Sequence, residues 1–164
     1  LFPYQMLFFS AFRYGNLQPA FPEIAGKTER KLSTLQADEQ VLLLTGIASP
    51  APIMQELEKY TSHIDLLAFD DHHNFSQRDI QSIRERFKKL KGEQRLIITT
   101  EKDATRLVHH PVMDRELKKY IYILPIEVEI LQNQQDIFNQ HIIGYVRENT
   151  RDGSFSERKD AHKS

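Results

Sequence analysis

Ile64-Asp65-Leu66-Leu67-Ala68-Phe69-Asp70-Asp71-His72-His73-Asn74-Phe75-Ser76 reads as a strand that runs into a polar loop and then a helix cap. The apolar run suits a strand covered on both faces, and the Asp/His cluster falls at its carboxyl end, where open α/β sheets bind ligands. Beyond it, Ser76 and Asp79 form a capping-box pair, and Ile80, Ile83, Phe87 and Leu90 make the buried stripe of a helix reaching about Lys91. Its other face carries Arg84, Arg86, Lys88, Lys89 and Lys91, a solvated face or a contact for anionic lipid or phosphate.

The same unit recurs on either side. Val41-Leu42-Leu43-Leu44-Thr45 is a second buried strand, followed by a turn in which Ser49 is expected to cap a helix with Pro50 at its first position. Ile53, Leu57 and Tyr60 share that helix's inner face. Arg95-Leu96-Ile97-Ile98-Thr99-Thr100 is a third strand running into Glu101-Lys102-Asp103. A short helix over 114–120, a fourth strand over 120–125 and an extended piece over 127–131 follow. Ile137, Phe138, His141, Ile142 and Tyr145 then mark a closing helix ending near Asn149, with His141 a core group. The alternation predicts a small α/β/α layer domain of about four parallel strands.

Upstream, Gln5 to Tyr14 and Leu17 to Phe21 predict a two-stranded hairpin turning at Gly15-Asn16, with Pro19 placing its second arm at an edge. The expected organisation is a linker hairpin and connection over 1–40, the α/β domain over 41–149, and a disordered polar tail over 150–164. Gly26-Lys27-Thr28 is not a phosphate loop, because Phe21 stands where the motif needs glycine and no buried strand precedes it.

Composition narrows the chemistry. The 164 residues are 40% hydrophobic and 27% charged, with a formal net charge of -1 and no cysteine. These values fit one domain with a core, argue against binding nucleic acid by bulk charge, and remove thiol chemistry and thiolate metal sites. No apolar run approaches the roughly 18 residues of a membrane-spanning helix. Residue 1 is Leu, so the expectation is that the chain begins inside a longer protein.

Three loops, 46–52, 70–74 and 99–103, should open on one sheet edge. Asp71 beside His72 could orient an imidazole for proton transfer, provided both occupy a turn; alternatively Asp71 caps the turn and the histidines are surface groups. Lys102 could bind an anion, or Glu101 and Lys102 could be exposed neighbours. Asp103 is expected to cap the next helix, with Thr100 the other candidate. No histidine pair has metal-ligand spacing on a helix.

In order, Leu44-Thr45-Gly46-Ile47-Ala48-Ser49-Pro50, Phe69 to Phe75, Thr99-Thr100-Glu101-Lys102-Asp103-Ala104-Thr105-Arg106-Leu107 and Leu124-Pro125-Ile126 resemble the tetraacyldisaccharide 4'-kinases, the lipid A 4'-kinases. Leu7 to Tyr14 is similar to their linker. The resemblance covers nearly the whole chain before the polar tail. It implies the C-terminal domain of an ATP-dependent, Mg²⁺-assisted kinase acting on the 4'-hydroxyl of a lipid A disaccharide precursor, peripherally at the cytoplasmic face of the inner membrane. It further implies that an N-terminal P-loop domain, absent here, binds most of the ATP and Mg²⁺, and that the segment alone is inactive. Asp71 and His72 would then be catalytic, serving a base on that domain, while His73, Thr100, Glu101, Lys102 and Asp103 would lie near nucleotide or substrate, with no metal ligand in this chain. Two other readings stand beside it: a metal-dependent phosphoesterase using Asp-His-His, and a non-catalytic α/β binding module.

Overall fold

The computed structural model describes residues 6–26, 28–71 and 73–156, with the backbone alone for Asn149 and residues 151–156. In chain order the elements are β1 (Ser10–Tyr14), β2 (Gln18–Pro19), α1 (Pro22–Ala25), a 3₁₀ turn (Leu32–Thr34), β3 (Gln40–Thr45), α2 (Ala51–Leu57), β4 (Ile64–Ala68) and α3 (Gln77–Lys89). There follow β5 (Arg95–Thr100), α4 (Glu101–Val108), α5 (Arg115–Lys118), β6 (Ile121–Leu124), β7 (Ile126–Ile130) and α6 (Gln135–Ser156). By contacts they form two compact units, Tyr14–Glu127 and Leu1–Arg13 with Val128–Ser164.

The first of these units holds a five-stranded sheet in the order β2-β6-β5-β3-β4. Four of its strands run parallel, with Val41 opposite Ile64, Leu42 opposite Ile97 and Ile98 opposite Tyr122. β3 and β5 are central, which is why their sequences are unbroken apolar runs rather than alternating ones. Leu42, Leu44 and Ile97 face Ile80, Ile83 and Phe87 of α3 and Leu107 of α4. Val41, Leu43, Leu96 and Ile98 face Ile53 and Leu57 of α2 on the opposite side. Each such leucine or isoleucine, fully buried, contributes roughly 1.5–3 kcal/mol. The sandwich of helices on both faces is the α/β/α layer expected from the alternation of elements. Two cations of the basic face of α3 are held internally, Arg84 by Asp114 at 2.7 Å and Arg86 by Asp65 at 2.5 Å.

The N-terminal segment pairs differently from the expected hairpin. A two-stranded ladder exists, but β1 finds its partner in β7. The second arm instead joins the main sheet, where β2 runs antiparallel to β6 with Pro19 opposite Tyr122 at the edge. Burial decides this: Leu17 is wholly buried and exchanges both backbone hydrogen bonds with Arg30, at 2.7 and 2.9 Å. Residues 28–40, read as a connection, also pack. Leu32 and Leu35 enter the core, and the Arg30 guanidinium grips both oxygens of Glu39 at 2.6 and 2.7 Å. That forked hydrogen bond holds the Arg30 pKa above its ordinary value despite partial burial. Gly26 ends α1 in a left-handed conformation (φ 56°) instead of opening a helix, and Lys27 lies outside the described residues.

In the other unit, Arg13 of β1 pairs with Glu129 of β7 at 2.8 Å, and the Phe8 ring meets Phe138 of α6 edge-on at 5.2 Å. α6 continues past Asn149 to Ser156, so the polar tail expected from 150 is helical over its first residues; 157–164 lie outside the described residues. His141, expected in a core, is exposed.

Arg30→Ala leaves the Glu39 carboxylate, 4% exposed, without its partner. We expect a loss of about 2–3 kcal/mol in urea unfolding, from an uncompensated buried charge. A loss under about 0.5 kcal/mol would instead identify residues 28–40 as a loose surface connection.

Candidate functional site

From β3 the chain moves to β4 on one side, then returns to β5 on the other. The gap between the carboxyl ends of β3 and β5 is therefore the topological switch point of the sheet, the position where side chains of successive loops can meet over a ligand. All three expected loops converge on it. Gly46, directly after β3, donates its backbone N–H to Asp103 Oδ2 at 2.9 Å. Lys102 of α4 donates to Asp71 Oδ1 in the loop after β4. Gly46 also lies against that loop, since a Cβ there would stand 3.1 Å from the Asp70 carbonyl and 3.0 Å from Asp103 Oδ1.

The start of α4 explains the placement. Thr100 is the N-cap, its hydroxyl accepting from the Asp103 N–H at 3.2 Å while donating to Asp103 Oδ2 at 2.8 Å. Asp103 was expected to cap; it sits instead at the third helical position, fully buried, because its carboxylate spans from Thr100 to Gly46. Glu101 is exposed at the first turn, and Lys102, beside it, projects to Asp71. In the first loop Ser49 does not cap α2; Pro50 occupies that position and makes no side-chain cap.

The loop after β4 is braced from two helices. The His73 N–H donates to the Asp70 carbonyl at 3.1 Å, so Asp71 stands in a tight turn, as joint action with a following imidazole requires. His72 itself lies outside the described residues. His73 is packed, stacked on Phe69 with centroids 4.7 Å apart and edge-on to Phe75, with Nε2 3.0 Å from Asp79 Oδ2. Arg106, one turn beyond Lys102 on α4, donates to the His73 carbonyl at 3.2 Å. Asp79 closes the capping box at the start of α3. Burial pushes the Asp79 carboxyl up, but donation from the Ser76 N–H and hydroxyl and the neighbouring His73 ring together hold its pKa below the ordinary value.

Gly46, Asp79 and Arg106 are the positioning residues that the sequence did not single out for this loop. Arg106 had a legible signal, since it follows Lys102 at i+4 on the same helical face. Gly46 had only its place after a strand.

With this geometry, the comparison with known proteins is specific. A family model described as tetraacyldisaccharide-1-P 4'-kinase matches residues 10–146. The chain belongs to this family. A tetraacyldisaccharide 4'-kinase of Bacteroides fragilis is 71% identical over the whole chain, which spans 44% of that relative. The tetraacyldisaccharide 4'-kinase of Bacteroides thetaiotaomicron is 66% identical, again over the whole chain and 44% of the relative. The chain therefore spans less than half the length of these curated relatives. A crystal structure of LpxK from Aquifex aeolicus in complex with ATP aligns over 84% of the chain and 37% of its own, at 14% identity and a TM-score of 0.43. The loops named above all lie within the part matched to the kinase family.

In this kinase-family chain, Gly46→Ala puts a methyl against Asp103 Oδ1 and the Asp70 carbonyl, and an overpacking cost of about 1–3 kcal/mol is expected in chemical denaturation. A neutral result would mean that the three loops have slack at the switch point. For Asp79, the lowered folded pKa means its charge-dependent stabilisation is complete above the unfolded value near 3.8 and is lost as pH falls through the folded value. Asp79→Ala should therefore cost about 1 kcal/mol at neutral pH, with the gap to wild type narrowing only below about pH 4. A gap that stayed constant as the pH fell through that range would show that the Asp79 charge does not stabilise the fold.

Proposed function

We propose that this chain is the C-terminal domain of an ATP-dependent kinase that phosphorylates the 4'-hydroxyl of a tetraacyldisaccharide 1-phosphate in lipid A biosynthesis. Its partners are an N-terminal P-loop domain and the lipid substrate, and its working position is peripheral, at the cytoplasmic face of the inner membrane. The observation that carries the reading is the Asp71–Lys102 pair at the switch point, in a chain 71% identical to a protein named for that reaction.

The transfer forms a bond from the sugar oxygen to the γ-phosphorus, breaks the bond to the β-phosphate oxygen, and removes the hydroxyl proton. Such reactions depend on positioning and charge stabilisation more than on covalent chemistry. Mg²⁺ is assigned to the P-loop domain by resemblance to the family. ATP, when bound, supplies the phosphoryl group. What this domain contributes is a fixed turn. Lys102 orients the Asp71 carboxylate, and Arg106 and Asp79 hold the backbone and ring of His73; to His72 we assign the role of orienting the base on the other domain. Thr100 and Asp103 set the direction of α4, which keeps Lys102 and Glu101 at the nucleotide side of the crevice. Occupation of Asp71 by an ammonium group also disfavours its use as one member of an Asp-His-His metal set.

The test uses the full-length enzyme that contains this segment. His72→Ala and Asp71→Asn should each lower kcat by roughly 10²-fold or more, with Tm within about 2 °C of wild type. Unchanged turnover, or loss of folding in parallel with activity, overturns the assignment. The isolated chain should transfer no phosphate; phosphorylation at the full-length rate would show that the site is complete without a second domain.

A further inference from the structure

α6 has 22 residues, and none of its described side chains is buried. Ile137, Ile142, Ile143, Tyr145 and Val146 are 45–69% exposed. A helix in water draws most of its stability from packing an apolar face, so five large exposed apolar side chains mark a surface made for a partner. Within its own unit the helix is held at its first turns, through Phe8 against Phe138 and the Phe138 N–H on the Gln134 carbonyl.

Two features describe the missing partner. At 3.6 residues per turn, Ile143 and Tyr145 stand about 160° apart around the axis. The apolar residues thus occupy more than one side, the pattern of a helix enclosed by protein and not of one resting on a flat surface. Charge agrees: its charged described side chains are Asp136, Arg147 and Glu148, with no basic belt for anionic lipid. The second feature is Gly144. It lies mid-helix, where a Cβ would meet nothing within 4 Å, on the stripe of the helix that carries Ile137, His141 and Tyr145. Glycine there weakens the free helix, yet it opens the side-chain layer so that another backbone can approach closely.

We infer that α6 docks into the part of the family polypeptide that this chain does not span, with its apolar residues buried and Gly144 at the closest backbone approach. More than half of each Bacteroides relative lies outside the matched segment, so a body large enough to enclose the helix belongs to the same polypeptide. The inference rests on family membership and on exposure, and not on the kinase chemistry.

Hydrogen exchange of amides 138–148 tests it, without nucleotide or lipid, in the isolated chain and in a full-length protein made by joining the chain to the remaining portion of the Bacteroides fragilis relative. Protection should rise by tenfold or more in the joined protein, since burial of even one such side chain is worth that factor. Gly144→Ala should slow exchange in the isolated chain, by strengthening the helix, and speed it in the joined protein, by crowding the approach. Equal protection in both proteins overturns the inference. So does protection of the isolated chain that grows with its concentration, or that appears on adding anionic phospholipid vesicles; these would assign the face to a second copy or to a membrane.

Discussion

One buried carboxylate links the two central strands at their working ends. Asp103 accepts from Gly46 after β3 and from Thr100 at the end of β5, and it is shielded from water altogether. The carboxylate is held through Oδ2 alone, by backbone and hydroxyl donors fixed by the sheet, while Oδ1 is buried without a hydrogen-bond partner among the described residues. The consequence is directional. The first turn of α4 cannot rotate relative to the sheet without breaking both bonds, so Lys102 and Arg106 leave the helix at fixed angles.

Those two side chains hold the loop after β4. Lys102 meets Asp71 and Arg106 meets the His73 carbonyl, while α3 holds the His73 ring through Asp79. The Lys102 and Asp71 side chains are each more than a third exposed, so as a stabilising ion pair they are worth little. Their value lies in orientation. For the phosphoryl transfer proposed above, such a loop has to be already shaped, because misplacement by about 1 Å can cost on the order of 10²-fold in rate. The cluster of Phe69, stacked on His73, and Phe75, edge-on to both, packs the residues on either side of that turn.

The second unit follows an opposite economy. The sheet unit buries its own leucines and isoleucines, whereas the ladder and α6 leave theirs in solvent. A two-stranded ladder with one helix has too little area to form a core, and such pieces are stable when something larger covers them.

Much of the fold was legible from residue pattern alone, because local physics dictates it. Leu42 to Leu44 and Leu96 to Ile98 read as strands covered on both faces, Ser76 and Asp79 as a capping box, and the alternation of units as a parallel sheet. So did the convergence of three loops, since parallel strands place every carboxyl end on one edge. Strand partners were not legible. β1 chose β7 and β2 chose β6 because Leu17 and the Arg30–Glu39 pair draw residues 17–40 into the sheet unit, and competition for burial is a property of the whole chain. The role of Asp103 was hidden for the same reason: at third position of a helix it reads as a cap, and only the distant Gly46 N–H, 57 residues away, turns it into a tie between strands. Sequence thus determined which elements form and which edge carries the polar groups. Tertiary structure decided which side chains meet there, because those partners are separated along the chain and selected by packing.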